Sequence, residues 1–228
     1  SLYSCTTPTE NIEMVLVEGG NFIMGSESIE ADEDEKPSYS VNVKSFYLSK
    51  YEVTQELWEY VMGYNPSCFM NPEFPVECVS YDDVHVFLHK LNTITGKRYR
   101  LPREQEWEYA AKGGRNQQKS VYSGSDDLYR VAWFRENSNE QTHPVGRMKG
   151  NSLGLFDMTG NVHEWCEDYC DGTNYRGDTV NVVSSVYCIF RGGSFNSDRR
   201  HCRITNRNNA SFDTRNFSLG FRLAHDVE

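Results

Sequence analysis

The sequence predicts an α+β fold in a single domain with little regular secondary structure, and three observations lead to this prediction. β-like patterns come first in the chain, and helical patterns follow as far as residue 113. Beyond Gly114 the periodicity fades, although aromatic side chains stay frequent among Asn, Gly, Ser and Asp. Long loops of this composition are usually ordered, and no linker or repeat divides the chain. We therefore expect one domain over residues 12–228, preceded by an N-terminal segment over residues 1–11 that is a linker or the remainder of a processed signal.

The strands are predicted from alternation and from glycine. Two short apolar runs, 14–17 and 21–24, flank Gly19 and Gly20, which is typical of a β-hairpin. Residues 41–53 alternate between apolar and polar side chains, and this pattern indicates an extended strand with one polar face.

Three helices are predicted from their ends. The first begins after Thr54 as N-cap, and the second begins after Ser80, which forms a capping box with Asp83. The third is short and lies between Pro102 and Gly113. The residues expected to face the core are Leu57, Tyr60 and Val61 on the first helix and Val84, Phe87, Leu88 and Leu91 on the second.

Composition limits the classes of partner. The formal net charge is −10, and because phosphate contacts need a basic face we expect no nucleic-acid partner. No apolar run approaches the length of a membrane span. Seven cysteines favour an oxidising compartment, so we expect a protein that is secreted, periplasmic or at the cell surface. We also expect a monomer. Leu2 and Ser4 before Cys5 resemble the end of a lipoprotein signal, which adds a lipid anchor as a hypothesis.

Two acidic stretches are candidates for cation binding. Residues 30–36, “EADEDEK”, favour a solvated loop, with a cation site as the alternative. In residues 151–171, Asp157 and Glu164 flank a turn at Gly160, a composition that suits calcium because calcium takes carboxylates together with backbone carbonyls. A capped turn with surface acids explains the same residues, so both interpretations stay open at this point.

Six motifs occur along the chain in a fixed order: “MVLVEGGNFIMGS”, “YEVTQELWEYVMG”, “PVECVSYDDVHVFLHKLN”, “YRLPREQEWEYAAKGG”, “THPVGRMKGNSLGLFDMTGNVHEWCED” and “FRGGSFNSDRRHCRITNRNN…SLGFRLA”. Together they resemble the formylglycine-generating enzyme, or sulfatase-modifying factor, domain over residues 12–226. The resemblance implies a variant of the C-type lectin fold that is ordered by a structural calcium ion. It places Asp157 and Glu164 at side-chain ligand positions and Gly160 and Val162 at carbonyl positions.

The resemblance does not extend to the catalytic pair of the family. Its oxidases hold copper between two thiolates five residues apart, because copper(I) prefers soft sulfur ligands. Cys202 occupies the second of these positions, but Ser197 occupies the first. We therefore expect a binding module, with copper only under the alternative of a divergent oxidase that uses Cys202 with Cys166.

A second likeness within the family points to ligand binding. Variable proteins diversified by retroelements use this domain, and their changing positions lie between “RGGS” and “GFRL”. In this chain the segment is rich in residues that are reachable from asparagine codons by changes at adenine. We expect it to bind a protein or glycan through Phe195, Asn196, Ser197, Asp198, Arg200, His201, Thr205, Asn208, Asn209, Asn216 and Phe217.

Four cysteines stand where the family usually has none. Unusual cysteines in an even number favour disulfides, and local pairing predicts Cys68–Cys78 and Cys170–Cys188. The alternative is four buried free thiols.

Overall fold

A computed structural model describes residues 5–170 and 187–228, and in these ranges the chain forms short helices and three small sheets. The helices are α1 (Gln55–Met62), α2 (Tyr81–Thr95), α3 (Glu104–Ala111) and α4 (Leu128–Val131). The strands are β1 (Met14–Val17), β2 (Gly20–Met24), β3 (Tyr39–Val43), β4 (Phe46–Ser49), β5 (His163–Cys170), β6 (Tyr187–Arg191), β7 (Arg207–Ser211), β8 (Leu219–Gly220) and β9 (Ala224–Asp226). Among the residues described, no helix is both long enough and apolar enough to cross a membrane.

The three predicted helices are present, and their predicted caps are confirmed. The Thr54 hydroxyl accepts from the Leu57 amide at the start of α1, and Ser80 and Asp83 form the capping box of α2. One prediction for α1 is wrong, because Tyr60 is 49% exposed whereas Trp58 is fully buried. The indole gains more from burial than a phenol that keeps its hydroxyl in water.

The predicted hairpin between the first two strands is wrong. β1 pairs antiparallel with β4, whereas β2 pairs antiparallel with β3, so the two strands belong to different sheets. Gly19 explains the crossing, since a Cβ atom there would lie 2.4 Å from the Val43 carbonyl oxygen. The backbone passes too close to the end of β3 for any larger residue. The predicted single strand over 41–53 is also wrong, because the chain forms β3 up to Val43 and β4 over Phe46–Ser49, and residues 50–53 lie beyond β4.

A four-stranded sheet in the order β7-β6-β5-β8 organises the C-terminal half of the chain. β5 and β6 are antiparallel with an irregular register between Trp165 and Tyr169, and β5 and β8 are parallel. This sheet positions the segment that leaves β6 and returns at β8. The core lies on both sides of it, with Trp58, Phe87 and Phe221 in one cluster and Trp107 in another.

The stacked pair of Trp58 and Phe87 generates a stability prediction. The two rings are 5.0 Å apart and nearly parallel, and Phe87 is fully buried. Phe87→Ala should lower the free energy of unfolding by about 3–5 kcal/mol, because it removes buried area and leaves a cavity. Urea unfolding measures this change. The adjacent Val86, 49% exposed, provides the control, and Val86→Ala should change stability by less than about 0.5 kcal/mol. Equal effects of the two substitutions would contradict this packing.

Candidate functional site

The segment 195–218, called the platform below, joins β6 to β8 and contains a 3-10 helix (Arg200–Cys202) and β7. Its predicted binding residues differ in exposure. Asn196, Arg200, His201, Asn209, Asn216 and Phe217 are exposed, Asp198 and Asn208 are half-buried, and Phe195, Ser197 and Thr205 are buried. The three buried residues therefore support the surface from below and do not form it.

Aromatic side chains form one part of the platform surface. The Phe217 ring is 42% exposed and lies 5.8 Å from the buried ring of Phe195. Phe69, from the loop after α1, packs edge-on against both rings at 5.3 and 6.4 Å. The neighbouring Met70 is 66% exposed. An apolar patch from two distant parts of the sequence is thus joined to the platform.

Polar and charged groups form the other part of the surface. Asp198 Oδ1 accepts from the His201 amide at 3.1 Å and lies 2.7 Å from the Nδ1 atom of its imidazole. Arg199 pairs with Glu136 at 3.1 Å, and its guanidinium lies 5.1 Å from the centre of the Tyr129 ring. These contacts orient side chains that would otherwise rotate freely in water.

His163, at the start of β5, lies at the base of the platform. Its ring packs edge-on against Phe190 at 4.9 Å, and its Nδ1 atom is buried without a hydrogen-bond partner among the residues described. Burial, helped by the neighbouring His201, lowers the pKa of His163 to about 3. The imidazole is therefore neutral at pH 7 and retains one unused polar atom.

The acidic run 30–36 is not the solvated loop that the sequence favoured, because it packs against the platform. Glu35 is fully buried and accepts two hydrogen bonds from the Arg203 guanidinium, at 2.7 and 2.8 Å. It also accepts from the Thr205 hydroxyl at 2.5 Å, and Asp32 pairs with Arg200. Burial acts to raise the pKa of Glu35, but these hydrogen bonds outweigh it and hold the pKa below its ordinary value.

A second group of buried ion pairs attaches the end of β6 and the start of β7 to α3. Glu104 Oε1 accepts from Arg191 at 2.8 Å and from Arg207 at 2.6 Å, and Glu108 accepts from Arg191 at 2.9 Å. Burial acts to raise the pKa of Glu104, but the charges of the two arginines outweigh it and lower the pKa. The end of β6 and the start of β7 are thereby fixed to the same helix.

The predicted calcium residues lie together in a buried, acidic region. Asp157 Oδ2 accepts from the Gly146 amide at 2.8 Å, whereas Asp157 Oδ1 is buried with no hydrogen-bond partner in the described ranges. Burial raises the pKa of Asp157 to about 6. Glu164 is already bound by Arg222 through two contacts of 2.7 Å and by the Trp107 indole at 2.9 Å.

Glu52, on the loop before α1, joins this region and was not predicted. Its carboxylate accepts from the Asn161 amide group at 2.8 Å and from the Val162 backbone amide at 3.2 Å. Burial, followed by the charges of Asp157 and Glu164, raises its pKa well above the ordinary value. Gly160 is required in the turn between them, since a Cβ atom there would lie 2.3 Å from the Trp133 carbonyl oxygen.

The three carboxyl groups share one arginine, and the raised pKa values of Glu52 and Asp157 show that this buried region disfavours further negative charge. The unpartnered oxygen of Asp157 and the neighbouring Glu52 are hard donors of the kind that calcium prefers. These residues therefore fit a calcium ion, although Glu164 takes part while already paired to Arg222.

The thiols of the alternative oxidase are not brought together. Cys202 packs in a cluster with Phe134, whereas Cys166 packs in the separate cluster around Trp107. Burial raises the pKa of Cys202 to about 12 and raises that of Cys166 well above its ordinary value. The Ser197 hydroxyl accepts from the Ser194 amide at 3.0 Å and so closes a tight turn.

The structure describes both cysteines of one predicted disulfide but the side chain of only one cysteine of the other. Cys68 Sγ and Cys78 Sγ lie 3.3 Å apart as free thiols, so this bridge stays a prediction with the partners already in contact. Cys188 is a buried thiol, and the side chain of Cys170 lies outside the described residues. The backbone register pairs Cys188 with Tyr169, and Cys170 with Tyr187.

Sequence reasoning missed Phe69, Glu52 and Glu35 as parts of the site. Each lies in the first third of the chain, whereas its partners lie in the last third. One signal was present in the sequence. The platform contains five arginines in an acidic protein, and buried arginines need counterions, which the acidic residues of 30–36 can supply.

Comparisons with known proteins agree with the motifs. The sulfatase-modifying factor enzyme 1-like domain family matches residues 3–227. The chain is 35% identical over 224 residues to chaperone protein LppX of Paenibacillus barcinonensis, covering 74% of this chain and 76% of that protein. It is 30% identical over 192 residues to the formylglycine-generating enzyme of Streptomyces coelicolor, covering 75% of this chain and 59% of the enzyme. This chain spans only 38% of the length of three chlamydial relatives.

The fold is also similar to a solved structure. Treponema denticola variable protein 1 superimposes with a TM-score of 0.83 at 29% sequence identity, covering 94% of this chain and 95% of that one. The predicted fold, a mixed α+β domain of the formylglycine-generating-enzyme type, is confirmed. The chain belongs to the sulfatase-modifying factor enzyme 1-like domain family.

Proposed function

We propose that this chain is a non-catalytic ligand-binding module that holds a protein or a glycan on the platform. The observation that carries the proposal is the contrast between its two sides. Asn196, His201, Asn216 and Phe217 are exposed. The side chains of Arg191, Arg203 and Arg207 are buried, and each is paired with a carboxylate. A surface fixed in this way loses little conformational entropy when it binds, which favours affinity.

The similarity to Treponema denticola variable protein 1 supports a narrower proposal, that residues 191–223 vary in sequence between copies. Four of the five asparagines of the platform, Asn196, Asn208, Asn209 and Asn216, are exposed or half-buried, and Asn206 is buried. The arginines between them carry the buried ion pairs, so the platform can change its surface without losing its support. A reverse transcriptase gene beside a near-copy of this segment would identify the mechanism.

The second candidate, a divergent oxidase, is favoured by the formylglycine-generating relative. It would use Cys202 with Cys166, yet both thiols are buried in separate clusters and have raised pKa values. Copper(I) held at two sulfurs needs thiolates, which these environments disfavour. The binding module is therefore the better-supported function.

We also propose that a structural calcium ion is held by Asp157 and Glu164 with the carbonyl groups of Gly160 and Val162, close to Glu52. The ion would supply positive charge to these buried carboxyl groups and a partner for the Asp157 Oδ1 atom.

Calcium should stabilise the protein more at pH 7.5 than at pH 5. The raised pKa of Asp157 means that its ionisation costs stability as pH rises from its ordinary value through about 6. Calcium binds the ionised form and offsets that cost. Calcium at about a hundred times its Kd should raise the melting temperature by about 5–10 °C at pH 7.5, measured by thermal unfolding with and without a chelator.

Asp157→Asn is the matched variant, since its carbonyl oxygen can still accept from the Gly146 amide. It should lose the calcium-dependent shift while remaining folded. A melting temperature unaffected by chelation at pH 7.5 would contradict the calcium proposal.

Binding should depend on the exposed platform side chains. On an array of defined glycans and peptides, the labelled protein should be retained at specific positions. Phe217→Ala and His201→Ala should each weaken retention about tenfold or more, as expected for residues central to an interface.

Ile94→Ala is the control, because Ile94 is 52% exposed on α2, away from the platform, and its loss should leave retention unchanged. Equal loss in all three variants would argue against platform binding. Oxygen consumption above background with copper(I) and a cysteine-containing sulfatase-motif peptide would establish the oxidase instead.

A further inference from the structure

Two cysteines meet beside the platform in a part of the fold that the proposed function does not use. Cys68, in the loop after α1, is exposed, and Cys78, just before α2, is half-buried. Their sulfur atoms lie 3.3 Å apart. Cys78 adopts a left-handed backbone conformation with φ of 58°, which costs a residue with a Cβ atom about 1 kcal/mol or more. This unfavourable backbone conformation occurs at Cys78, the residue whose thiol contacts that of Cys68.

A buried carboxylate lies against the same pair. Glu77 is fully buried, and its two oxygens accept from the Cys68 amide at 2.6 Å and from the Phe69 amide at 3.1 Å. A carboxylate oxygen of Glu77 and the two sulfur atoms all lie within 4.8 Å of one another. Burial raises the pKa of Glu77, although the backbone hydrogen bonds act against this change. Glu77 is therefore a proton acceptor close to both thiols.

The loop that carries the pair is already fixed at both ends. Gln55 of α1 donates to the carbonyl oxygens of Phe69 and Pro75, at 2.6 and 3.2 Å. The Cys78 amide donates to the carbonyl oxygen of Asn216 at 3.0 Å. Bond formation between the two sulfurs thus requires side-chain rotation and only small shifts of the backbone.

We propose that Cys68 and Cys78 form a reactive dithiol–disulfide pair, with Glu77 as the proton acceptor for Cys78. The oxidant is a small or protein-borne disulfide. The thiolate of exposed Cys68 attacks one sulfur of that disulfide, and one thiolate leaves. The Cys78 thiol then gives its proton to Glu77, its sulfur attacks Cys68 Sγ, and the second thiolate leaves. Two protein thiols are oxidised and one disulfide is reduced to two thiols, so atoms and electrons balance.

A metal ion fits this site less well than a disulfide. Two thiolates on one tetrahedral zinc ion stand about 3.8 Å apart, given a Zn–S distance of about 2.3 Å. The observed separation of 3.3 Å is shorter.

The pair is coupled to the platform through Phe69, the residue after Cys68, which packs against Phe195 and Phe217. Closing the ring would restrict this phenyl group and the backbone of Asn216. This part of the inference rests on the proposed function, whereas the thiol chemistry does not.

The test exposes the reduced chain, residues 1–228, to glutathione disulfide and follows its mass and peptide map over time. The wild type should lose two hydrogens and link Cys68 to Cys78. Cys78→Ser should stop at a glutathione adduct on Cys68, and Cys68→Ser should leave Cys78 unmodified over the same period. Glu77→Gln should slow ring closure at pH 7 by about 100-fold, the usual contribution of a general base, and should steepen its dependence on pH.

Glu73→Gln is the matched control, because Glu73 is an exposed carboxylate in the same loop. This variant should form the Cys68–Cys78 disulfide at the wild-type rate. If Glu77→Gln is unfolded, the wild-type pH–rate profile decides. General-base catalysis by Glu77 predicts a rate of ring closure that levels off above the pKa of its carboxyl group, whereas attack by a free Cys78 thiolate predicts a rate that keeps rising with pH. A map that links Cys78 to another cysteine would overturn the proposal. So would stoichiometric zinc binding that protects both thiols, or equal rates for the two glutamate variants. None of these readouts uses a platform ligand, so failure here is separate from failure of the binding function.

Discussion

The structure depends on buried pairs of carboxylate and guanidinium that connect segments far apart in the sequence. Glu35 binds Arg203, Glu104 binds Arg191 and Arg207, and Glu164 binds Arg222. A chain with short strands has few backbone ladders to hold its loops. Removing one partner of a buried pair costs about 3–5 kcal/mol, because the other charge stays in a dry environment. Loops attached in this way are fixed in position as well as stabilised.

This constraint explains how an irregular segment can serve as a binding surface. Arg203 and Arg207 point inward to their carboxylates, whereas Asn196, His201 and Asn209, on either side of this stretch, are exposed. Exposed positions can then change with little effect on folding. The lowered pKa of Glu35 and Glu104 implies that their stabilisation is present above the ordinary glutamate pKa and is lost as pH falls through the lower folded values. The platform is therefore held most firmly at neutral pH.

Local features were predictable from the sequence, and long-range pairings were not. Thr54 and Ser80 mark helix starts because capping involves residues only three positions apart. The pairing of β1 with β4 depends on a close approach at Gly19 that no local pattern encodes. Glu35 was read as part of a solvated run, since its partner lies 168 residues away. Asn196 and Phe217, predicted from the sequence as binding residues, are exposed, but the sequence could not show that Phe69 joins them.

The most direct test of this account is hydrogen exchange of the amides of Cys202, Ile204 and Asn206, which donate to backbone carbonyls in the platform region. Wild type is compared with Glu35→Gln, and with Glu33→Gln as the control, because the Glu33 side chain is 95% exposed. Glu35→Gln should accelerate exchange of these amides while the amides of α2 stay protected. Glu33→Gln should exchange at the wild-type rate. Unchanged protection in Glu35→Gln, or an equal loss along the whole chain, would contradict the claim that buried ion pairs fix the platform.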